Sequence, residues 1–415
     1  MRPEISISRD TALTISTRFV SLLGGLGLLI LTTHLFGTEG RGEIALILTN
    51  VGIIATLANV FCGSTITFHS QVLKKEILFA SAFLWALIVA LTGSLGFAAI
   101  FGFKYLSPLF FLSLLVSIGA FFNSYFLGKQ RIGSYNLLTL LPSLLIFVSL
   151  AIIQSLSRGN SVESYFYAAY SGYSLVLLIG ILLFFRKGKP FISSFSFNEI
   201  KPVFLYGIKN EFNYFIQLLN YRLSYYIIAF YISLSDLGVF SVVVSVSESA
   251  WIISRSISSL HYSNVVNNPD SAKTISQTRI LARQSLIISS VFMFLVVLIP
   301  SEIFTGIFGP GFDSTGNLIF MLVPGIIAIA FSNIHGHYFA GIGKLNVLRN
   351  KSLIGLLSSM IFLSLLVPYY NLKGACIAMD ISYLASSVYL WIMFRKEVNT
   401  VKKCMKEPDQ KFPQI

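Results

Sequence analysis

Four cationic side chains lie inside long apolar stretches of the sequence: Arg18, Lys209, Arg222 and Arg255. A charge in hydrocarbon costs about 2.5 to 3.5 kcal/mol, so such residues normally face a cavity or a partner. Guanidinium groups bind dense anions through paired hydrogen bonds, and ammonium groups bind them as point charges. The clear acids in the same stretches are fewer, namely Glu211, Glu248 and Asp380. This excess of cations favours an anionic ligand, with the acids as ion-pair or ion-coupling groups.

The composition identifies a membrane protein. Hydrophobic residues make up 55% of the 415 residues, charged residues make up 11%, and the mean hydropathy is +0.77. These values lie outside those of soluble proteins. A helix needs about 20 apolar residues to cross a bilayer, and about twelve such stretches occur. The predicted spans are Thr11–Phe36, Ile44–Phe68, Ile77–Phe103, Ser107–Phe126, Tyr135–Leu156, Ser164–Phe185, Val203–Ile232, Leu237–Tyr262, Ser276–Phe304, Thr315–Phe339, Ser352–Tyr370 and Gly374–Phe394.

Weak internal repetition predicts an all-α protein built from two related bundles of six helices. The segment Thr38–Ala45 follows the first span and is similar to Leu234–Ser241 after the seventh span. Likewise, Tyr125–Lys129 ends the fourth span and is similar to Tyr338–Lys344 at the end of the tenth. The predicted domains are an N-terminal bundle at 1–185, a cytoplasmic linker at 186–202, a C-terminal bundle at 203–394 and a basic cytoplasmic tail at 395–415.

The Lys and Arg residues outside the spans are distributed asymmetrically. When the amino terminus and alternate loops are taken as one side, 22 of the 30 lie there and four lie on the other side. The positive-inside rule therefore predicts that both termini are cytoplasmic. Because the net charge of +13 is spread over short loops, we expect no nucleic-acid partner. The first apolar stretch is too long for a cleavable signal peptide.

Polar residues within two spans recur at helical spacing. On one face of the seventh span they are Lys209, Asn213, Gln217, Asn220 and Ser224. On one face of the first span they are Thr11, Thr14, Arg18, Ser21 and Gly25. Steps of three and four residues keep each set on one side of its helix. The two faces predict the lining of a substrate path, although Arg18 and Lys209 are also close enough to the predicted interface to extend to lipid headgroups.

The remaining two cations have a structural interpretation as well as a functional one. Arg222 is neutralised in that interpretation by Glu211 or Asp380, and Arg255 by Glu248 or a neighbouring carboxylate. Glu248 and Arg255 are seven residues apart, a rise of about 10 Å, which is too long for a direct ion pair along a straight helix. Both interpretations stay open on the sequence alone.

No metal or catalytic site is predicted. The three cysteines, Cys62, Cys376 and Cys404, lack ligand spacing, so we expect no cofactor other than coupled H⁺ or Na⁺. His335 and His337 are interpreted as packing or interfacial residues rather than proton relays. The longest predicted loop, 186–202, is too short to hold the carboxylates of a sugar-transferring or polymerising enzyme. The chain is therefore not predicted to be an enzyme.

Three segments carry a family resemblance: Leu219–Ser224, Leu237–Val242 and Glu248–Arg255. They are similar to bacterial O-antigen-type oligosaccharide flippases of the polysaccharide biosynthesis protein family, within the multidrug/oligosaccharidyl-lipid/polysaccharide (MOP) exporter superfamily. Further similar segments extend the resemblance over essentially the whole chain, namely Gly40–Gly42, Phe308–Phe312, Val323–Gly325 and Leu366–Ala375.

The resemblance implies two six-helix bundles around a V-shaped central cavity in the bacterial inner membrane. The implied substrate is a polyprenyl-pyrophosphate-linked oligosaccharide, which would be moved to the periplasmic leaflet, and a polysaccharide polymerase or glycosyltransferases are further possible partners. The implied pyrophosphate ligands are Arg18, Lys209, Arg222 and Arg255. The implied sugar ligands are Asn213, Gln217, Asn220 and Tyr221.

The chain departs from the family pattern at one residue of the seventh span. Many relatives have Asp after the Arg-Leu pair of the seventh span, whereas this chain has Ser224, so a coupling role of that acid does not transfer. Glu248 and Asp380 then become the preferred coupling acids, with a structural ion pair as the other interpretation. A cation-coupled multidrug exporter of the same superfamily is the alternative function, and an integral-membrane glycosyltransferase or polymerase is a weaker one.

Overall fold

The computed structural model describes residues 9–156, 161–186, 197–267 and 271–406. Within those ranges the regular structure is helical, apart from turns and bends, and no strand occurs. The helices are α1 Arg9–Cys62, α2 Ser64–His69, α3 Lys75–Phe101, α4 Leu106–Gly128, α5 Ile132–Leu156, α6 Val162–Phe185, α7 Phe197–Tyr231, α8 Leu234–Glu248, α9 Trp251–Asn267, α10 Ser271–Val297, α11 Ser301–Phe308, α12 Thr315–Gly341 and α13 Leu345–Lys406, with a 3-10 turn at Phe103–Tyr105.

The first and last helices are each long enough for two spans. α1 has 54 residues and α13 has 62, or about 80 and 90 Å at 1.5 Å per residue, against about 30 Å of hydrocarbon. Each is broken by one residue of positive φ, Gly37 at 64° and Asn371 at 50°. Gly and Asn are the residue types that adopt this conformation most readily. At the second break, a Cβ on Gly374 would lie 2.3 Å from the carbonyl oxygen of Leu366, so the chain reverses there.

The twelve predicted spans all correspond to helices. Eight described helices are long and apolar enough to cross a membrane, and α8 with α9, bent by 44° at a short break, makes a ninth candidate. When α1 and α13 are counted as two spans each and the polar helix α7 is added, the helices give the twelve predicted spans in their predicted order. The prediction of an all-α, polytopic membrane protein is confirmed.

The chain divides into two compact units, residues 1–218 and 219–415. The division falls inside α7, whereas the predicted linker lies earlier, at 186–202, and residues 187–196 of that linker are outside the described ranges. α13 continues through the predicted tail as far as Lys406. Residues 407–415 of the tail are outside the described ranges.

Each half of α7 packs within its own unit. In the first unit, Phe204 stacks on Phe61 with ring centroids 5.8 Å apart, and a Cβ on Gly207 would lie 2.2 Å from the carbonyl oxygen of Val60. In the second unit, Tyr225 packs edge-on against Phe240. Each half of this polar helix is therefore held by close packing within its own unit.

The predicted repeat has a structural counterpart where α4 and α12 end. After α4, the amides of residues 129, 130 and 131 donate to the carbonyls of residues 125, 127 and 126. After α12, the amides of residues 342, 343 and 344 donate to the carbonyls of residues 338, 340 and 339. The middle residue has positive φ in both, Gln130 at 55° and Gly343 at 75°. The two units thus end equivalent helices in the same left-handed turn.

Candidate functional site

A partly buried, bidentate ion pair of the second unit joins α7 to the end of α8. Arg222 donates through Nη1 to Glu248 Oε1 at 2.9 Å and through Nη2 to Oε2 at 3.0 Å. The side chains are 25% and 17% exposed, and the guanidinium lies 5.3 Å from the ring centre of Tyr225. A bidentate pair of this kind fixes both side chains.

This pair corrects two expectations about partners. Arg222 is neutralised by Glu248 rather than by Glu211 or Asp380, because the packing of α7 against the end of α8 brings their side chains together. Consequently Glu248 is not the partner of Arg255, which lies beyond the α8–α9 break.

The other two intramembrane acids are bonded to neutral groups. Asp380 on α13 is 9% exposed, and its Oδ1 accepts the backbone N–H of Gly325 at 3.0 Å. A Cβ on Gly325 would lie 2.3 Å from that oxygen, so the absence of a side chain there allows the contact. Glu211 on α7 is 6% exposed, and its Oε1 accepts from the Ser64 hydroxyl at 3.2 Å. Neither acid forms an ion pair among the described residues.

Asn220 is buried in the interior of the second unit. It is 4% exposed, and its Oδ1 accepts from the hydroxyls of Ser359 at 2.7 Å and Ser382 at 2.9 Å. Ser382 also lies 2.9 Å from the carbonyl oxygen of Gly355. Ser359 and Ser382 both belong to α13, so these contacts hold α7 to α13. The geometry assigns this oxygen a packing role, and the sugar contact of Asn220 stays a prediction.

The other three predicted sugar ligands are more accessible. Asn213, Gln217 and Tyr221 are all half-buried on α7. Tyr221 packs against Trp251 and Tyr383, with ring centroids 5.4 and 5.7 Å away. The rings of Trp251 and Tyr383 are fully buried, so Tyr221 and the two amides are the groups that remain open to a ligand.

Three of the four predicted cations are exposed: Arg18, Lys209 and Arg255. None forms an ion pair with an acid of the described ranges. The guanidinium of Arg255 lies 5.4 Å from the ring centre of Trp251, a cation–π contact that orients it without neutralising its charge. Arg222 alone among the four is paired, and so the surplus of positive charge inferred from the sequence resides on the exposed three.

Arg255 is also part of a basic cluster of the second unit, which we define as Arg255, His337 and Lys351. The positive charges of Arg255 and Lys351 both interact electrostatically with the His337 imidazole. Lys351 is only 8% exposed. His337 Nδ1 lies 2.9 Å from the carbonyl oxygen of Asn333 and therefore carries a proton, which leaves Nε2 as the second hydrogen-bonding atom of the ring. Neither Arg255 nor Lys351 forms an ion pair with an acid of the described residues.

Two members of this cluster are not found by sequence reasoning. Lys351 falls in a predicted loop because the apolar stretch begins at Ser352, whereas α13 begins at Leu345 and carries Lys351 in its second turn. His337 is predicted to be a packing residue. Only the contact between α9, α12 and α13 brings these groups near Arg255, and that contact has no signal in one sequence. No group of three or more His, Cys, Asp or Glu residues that could hold a metal ion occurs in the described ranges.

No protein-family model and no curated protein matches the chain. Solved structures do match. A multidrug resistance MATE family transporter of the MOP superfamily, in its inward-facing conformation, is 15% identical over 95% of this chain and 99% of its own, with a TM-score of 0.74. A MOP superfamily transporter from Pyrococcus furiosus, described as having a binding pocket of reverse polarity that suggests a different function, is 14% identical over 95% and 96%, with a TM-score of 0.63. The MATE multidrug transporter DinF-BH, solved as a complex, is 16% identical over 94% of both chains, with a TM-score of 0.65.

These matches bear on the fold. None of these three is an O-antigen flippase. At 14 to 16% identity they do not assign a substrate. This chain, a multi-pass membrane protein, has the fold of MATE transporters of the MOP superfamily.

Proposed function

We propose that this chain is a membrane transporter that moves an amphipathic anion by alternating access. The observation that carries the proposal is the imbalance of free charge: Arg18, Lys209 and Arg255 are exposed without an acid partner in the described ranges. By contrast, Glu248, Asp380 and Glu211 are buried or paired. A cationic substrate would require the reverse arrangement, because exposed acids attract it.

Two transporter types fit an amphipathic anion. A multidrug exporter is supported by the fold comparisons, since the structures that match include a multidrug resistance MATE transporter and the multidrug transporter DinF-BH. A flippase of polyprenyl-pyrophosphate-linked oligosaccharide is supported by the basic cluster, because a pyrophosphate is a polyvalent anion that guanidinium and ammonium groups bind strongly. The comparisons favour the first type, and the charge of the cluster favours the second.

The purified chain in lipid vesicles tests the proposal with three probes of known charge: the cation tetraphenylphosphonium, the anion sulforhodamine B and a polyprenyl-pyrophosphate disaccharide. We expect at least one anion to bind at least about tenfold more tightly than the cation, since one charge-assisted contact contributes about 1.5 to 3 kcal/mol. Equal binding, or preference for tetraphenylphosphonium, would contradict an anionic substrate. Selective transport of the pyrophosphate lipid would favour the flippase, and transport of sulforhodamine B the multidrug exporter.

The basic cluster provides a variant for the same assay. Arg255→Met combined with Lys351→Met removes two charges but keeps two unbranched side chains, and it should weaken anion binding at least about tenfold. The matched control is Lys373→Met, which removes an exposed cation from a different part of the second unit. If both variants bind the anion equally well, the cluster is not part of the site.

A further inference from the structure

A second polar site lies in the first unit, where α1 and α2 are separated by Gly63 alone. Glu211 of α7 is buried against this break at 6% exposure. Its Oε1 accepts from Ser64 Oγ and from Asn210 Nδ2, each at 3.2 Å, and Asn210 also donates to the Ser64 hydroxyl. A Cβ on Gly63 would lie 3.2 Å from the same oxygen, so the absence of a side chain at 63 lets the carboxylate approach the backbone.

The carboxylate has no compensating positive charge within the described ranges. It takes part in none of the three ion pairs found there, and the groups bonded to it, Ser64 and Asn210, are neutral. Lys209 is two positions earlier on α7, which turns its side chain about 200° away around the helix. A buried carboxylate without a counter-charge is costly.

The two helix ends at the break offer the carboxylate no net compensation, because the carboxyl end of α1 and the amino end of α2 carry opposite partial charges. α1 ends at Cys62, next to Gly63, and the last carbonyls of a helix carry a partial negative charge that favours cations. α2 has only six residues, and none of its described backbone N–H groups donates to Glu211. Backbone charge therefore does not replace a counter-charge, and the buried carboxylate still needs a bound cation or a proton.

A third oxygen at this position has no partner. Asn59 Oδ1 is buried and makes no hydrogen bond. The Cβ of Asn59 lies 3.0 Å, and Glu211 Oε1 3.2 Å, from the one point that a Cβ on Gly63 would occupy. The Asn59 amide oxygen, which is two bonds from its Cβ, is therefore within reach of a ligand shared with the carboxylate and with Ser64.

We propose that Asn59, Ser64 and Glu211 bind a Na⁺ ion at the break between α1 and α2. Carboxylate, amide and hydroxyl oxygens are the ligands that hard cations prefer, and a single carboxylate balances a single positive charge. A Cβ on Gly63 would meet atoms of Asn59 and Glu211 at 3.0 to 3.2 Å, so little room is left at the break, and the smaller Na⁺ fits it better than K⁺. Helix ends and interrupted helices hold ions in other transporters. This site is in the first unit, and it is independent of which anion the basic cluster binds.

Binding of radioactive ²²Na⁺ to the purified full-length chain tests the site. We expect saturable binding of one Na⁺ per chain that excess unlabelled Na⁺ displaces and equal K⁺ does not. Glu211→Gln, which keeps the shape of the side chain, and Asn59→Leu should each weaken binding at least tenfold. Asn59→Asp, which keeps an oxygen in place, should retain it.

Glu302→Gln is the matched control, because it removes an exposed carboxylate of the second unit, and it should bind Na⁺ like the unmodified chain. Unchanged binding in Glu211→Gln, or no Na⁺ binding by the unmodified chain at any pH at which it remains folded, would overturn the proposal and leave a proton as the counter-charge. Because the anion-binding assay is separate, loss of one activity with retention of the other shows which proposal has failed.

Discussion

Replacing both Arg222 and Glu248 with apolar residues should restore most of the stability that either single replacement removes. The two side chains are 25% and 17% exposed, so loss of one partner leaves a largely buried charge. That change costs about 3 kcal/mol of unfolding free energy, the lower end of the range for fully buried pairs. For a domain of about 200 residues this corresponds to a fall in Tm of roughly 6 to 12 °C. The double variant Arg222→Met/Glu248→Leu buries no charge and should lie within about 1 kcal/mol of the unmodified protein.

Thermal unfolding in detergent can be followed with a dye that fluoresces on reaction with thiols, because Cys62 and Cys376 are buried. A Cys404→Ser background leaves only these two thiols. The four proteins of the cycle then give the coupling energy of the pair, which should be at least about 3 kcal/mol. If the loss in the double variant equals the sum of the two single losses, the side chains do not interact and the reasoning is wrong.

The same double variant separates structure from substrate binding. If Arg222 is only an ion-pair residue, the refolded double variant binds the anionic probe like the unmodified protein. If Arg222 also contacts the anion, binding falls at least about tenfold although stability is restored. We expect unchanged binding, since both terminal nitrogens of the Arg222 guanidinium already donate to Glu248.

Three further changes test the packing. Gly207→Ala places a Cβ 2.2 Å from the Val60 carbonyl oxygen and should lower the unfolding free energy by about 1 to 3 kcal/mol. The control Gly119→Ala meets nothing within 4 Å and should leave Tm unchanged or raise it. Similar Tm values for the two variants would contradict the close contact. Asn371→Val puts a β-branched residue at φ 50° and should lower the unfolding free energy by about 1 to 2 kcal/mol, so a higher Tm would count against the break. Asn220→Leu leaves the Ser359 hydroxyl without its acceptor, whereas Ser382 keeps the Gly355 carbonyl. The change should cost about 1 to 3 kcal/mol, with substrate binding per folded molecule unchanged; weaker binding at full stability would identify Asn220 as a ligand.

The spans could be predicted from the sequence because crossing a bilayer requires apolar length alone. The breaks could not be placed so well. Residues 37–43 are predicted as a loop, yet the helix resumes at Thr38 after the single residue Gly37. Similarly, the predicted loop at 371–373 is one residue, Asn371, inside α13. Apolarity locates the hydrocarbon, but the polar ends of a helix extend beyond it, so the chain leaves helical geometry over fewer residues than the apolar pattern indicates.

The partners of the buried charges could not be predicted for a different reason. Helical spacing places Glu211 and Arg222 on one face of α7. Which acid reaches Arg222, however, depends on how α7 packs against other helices. Glu248 is 26 residues from Arg222, a separation that no helical period describes. The excess of cations over acids was visible in the composition of the spans, whereas the identity of the free cations required the fold.

The low identity of the structural matches has a physical basis in the same contacts. Packing in this chain relies on backbone approaches at glycines, such as Gly207 against a Val60 carbonyl, and on left-handed turns that end α4 and α12 with different residues, Gln130 and Gly343. Such features constrain a few positions and leave most apolar positions interchangeable, so a fold can persist over 95% of the chain at 15% identity. The intramembrane charges are not interchangeable in that way, because each costs free energy unless it is paired or has a ligand. The unpaired charges, the exposed cations of both units and the buried Glu211 and Asp380, are therefore where the substrate and the coupling ion of this chain should be sought.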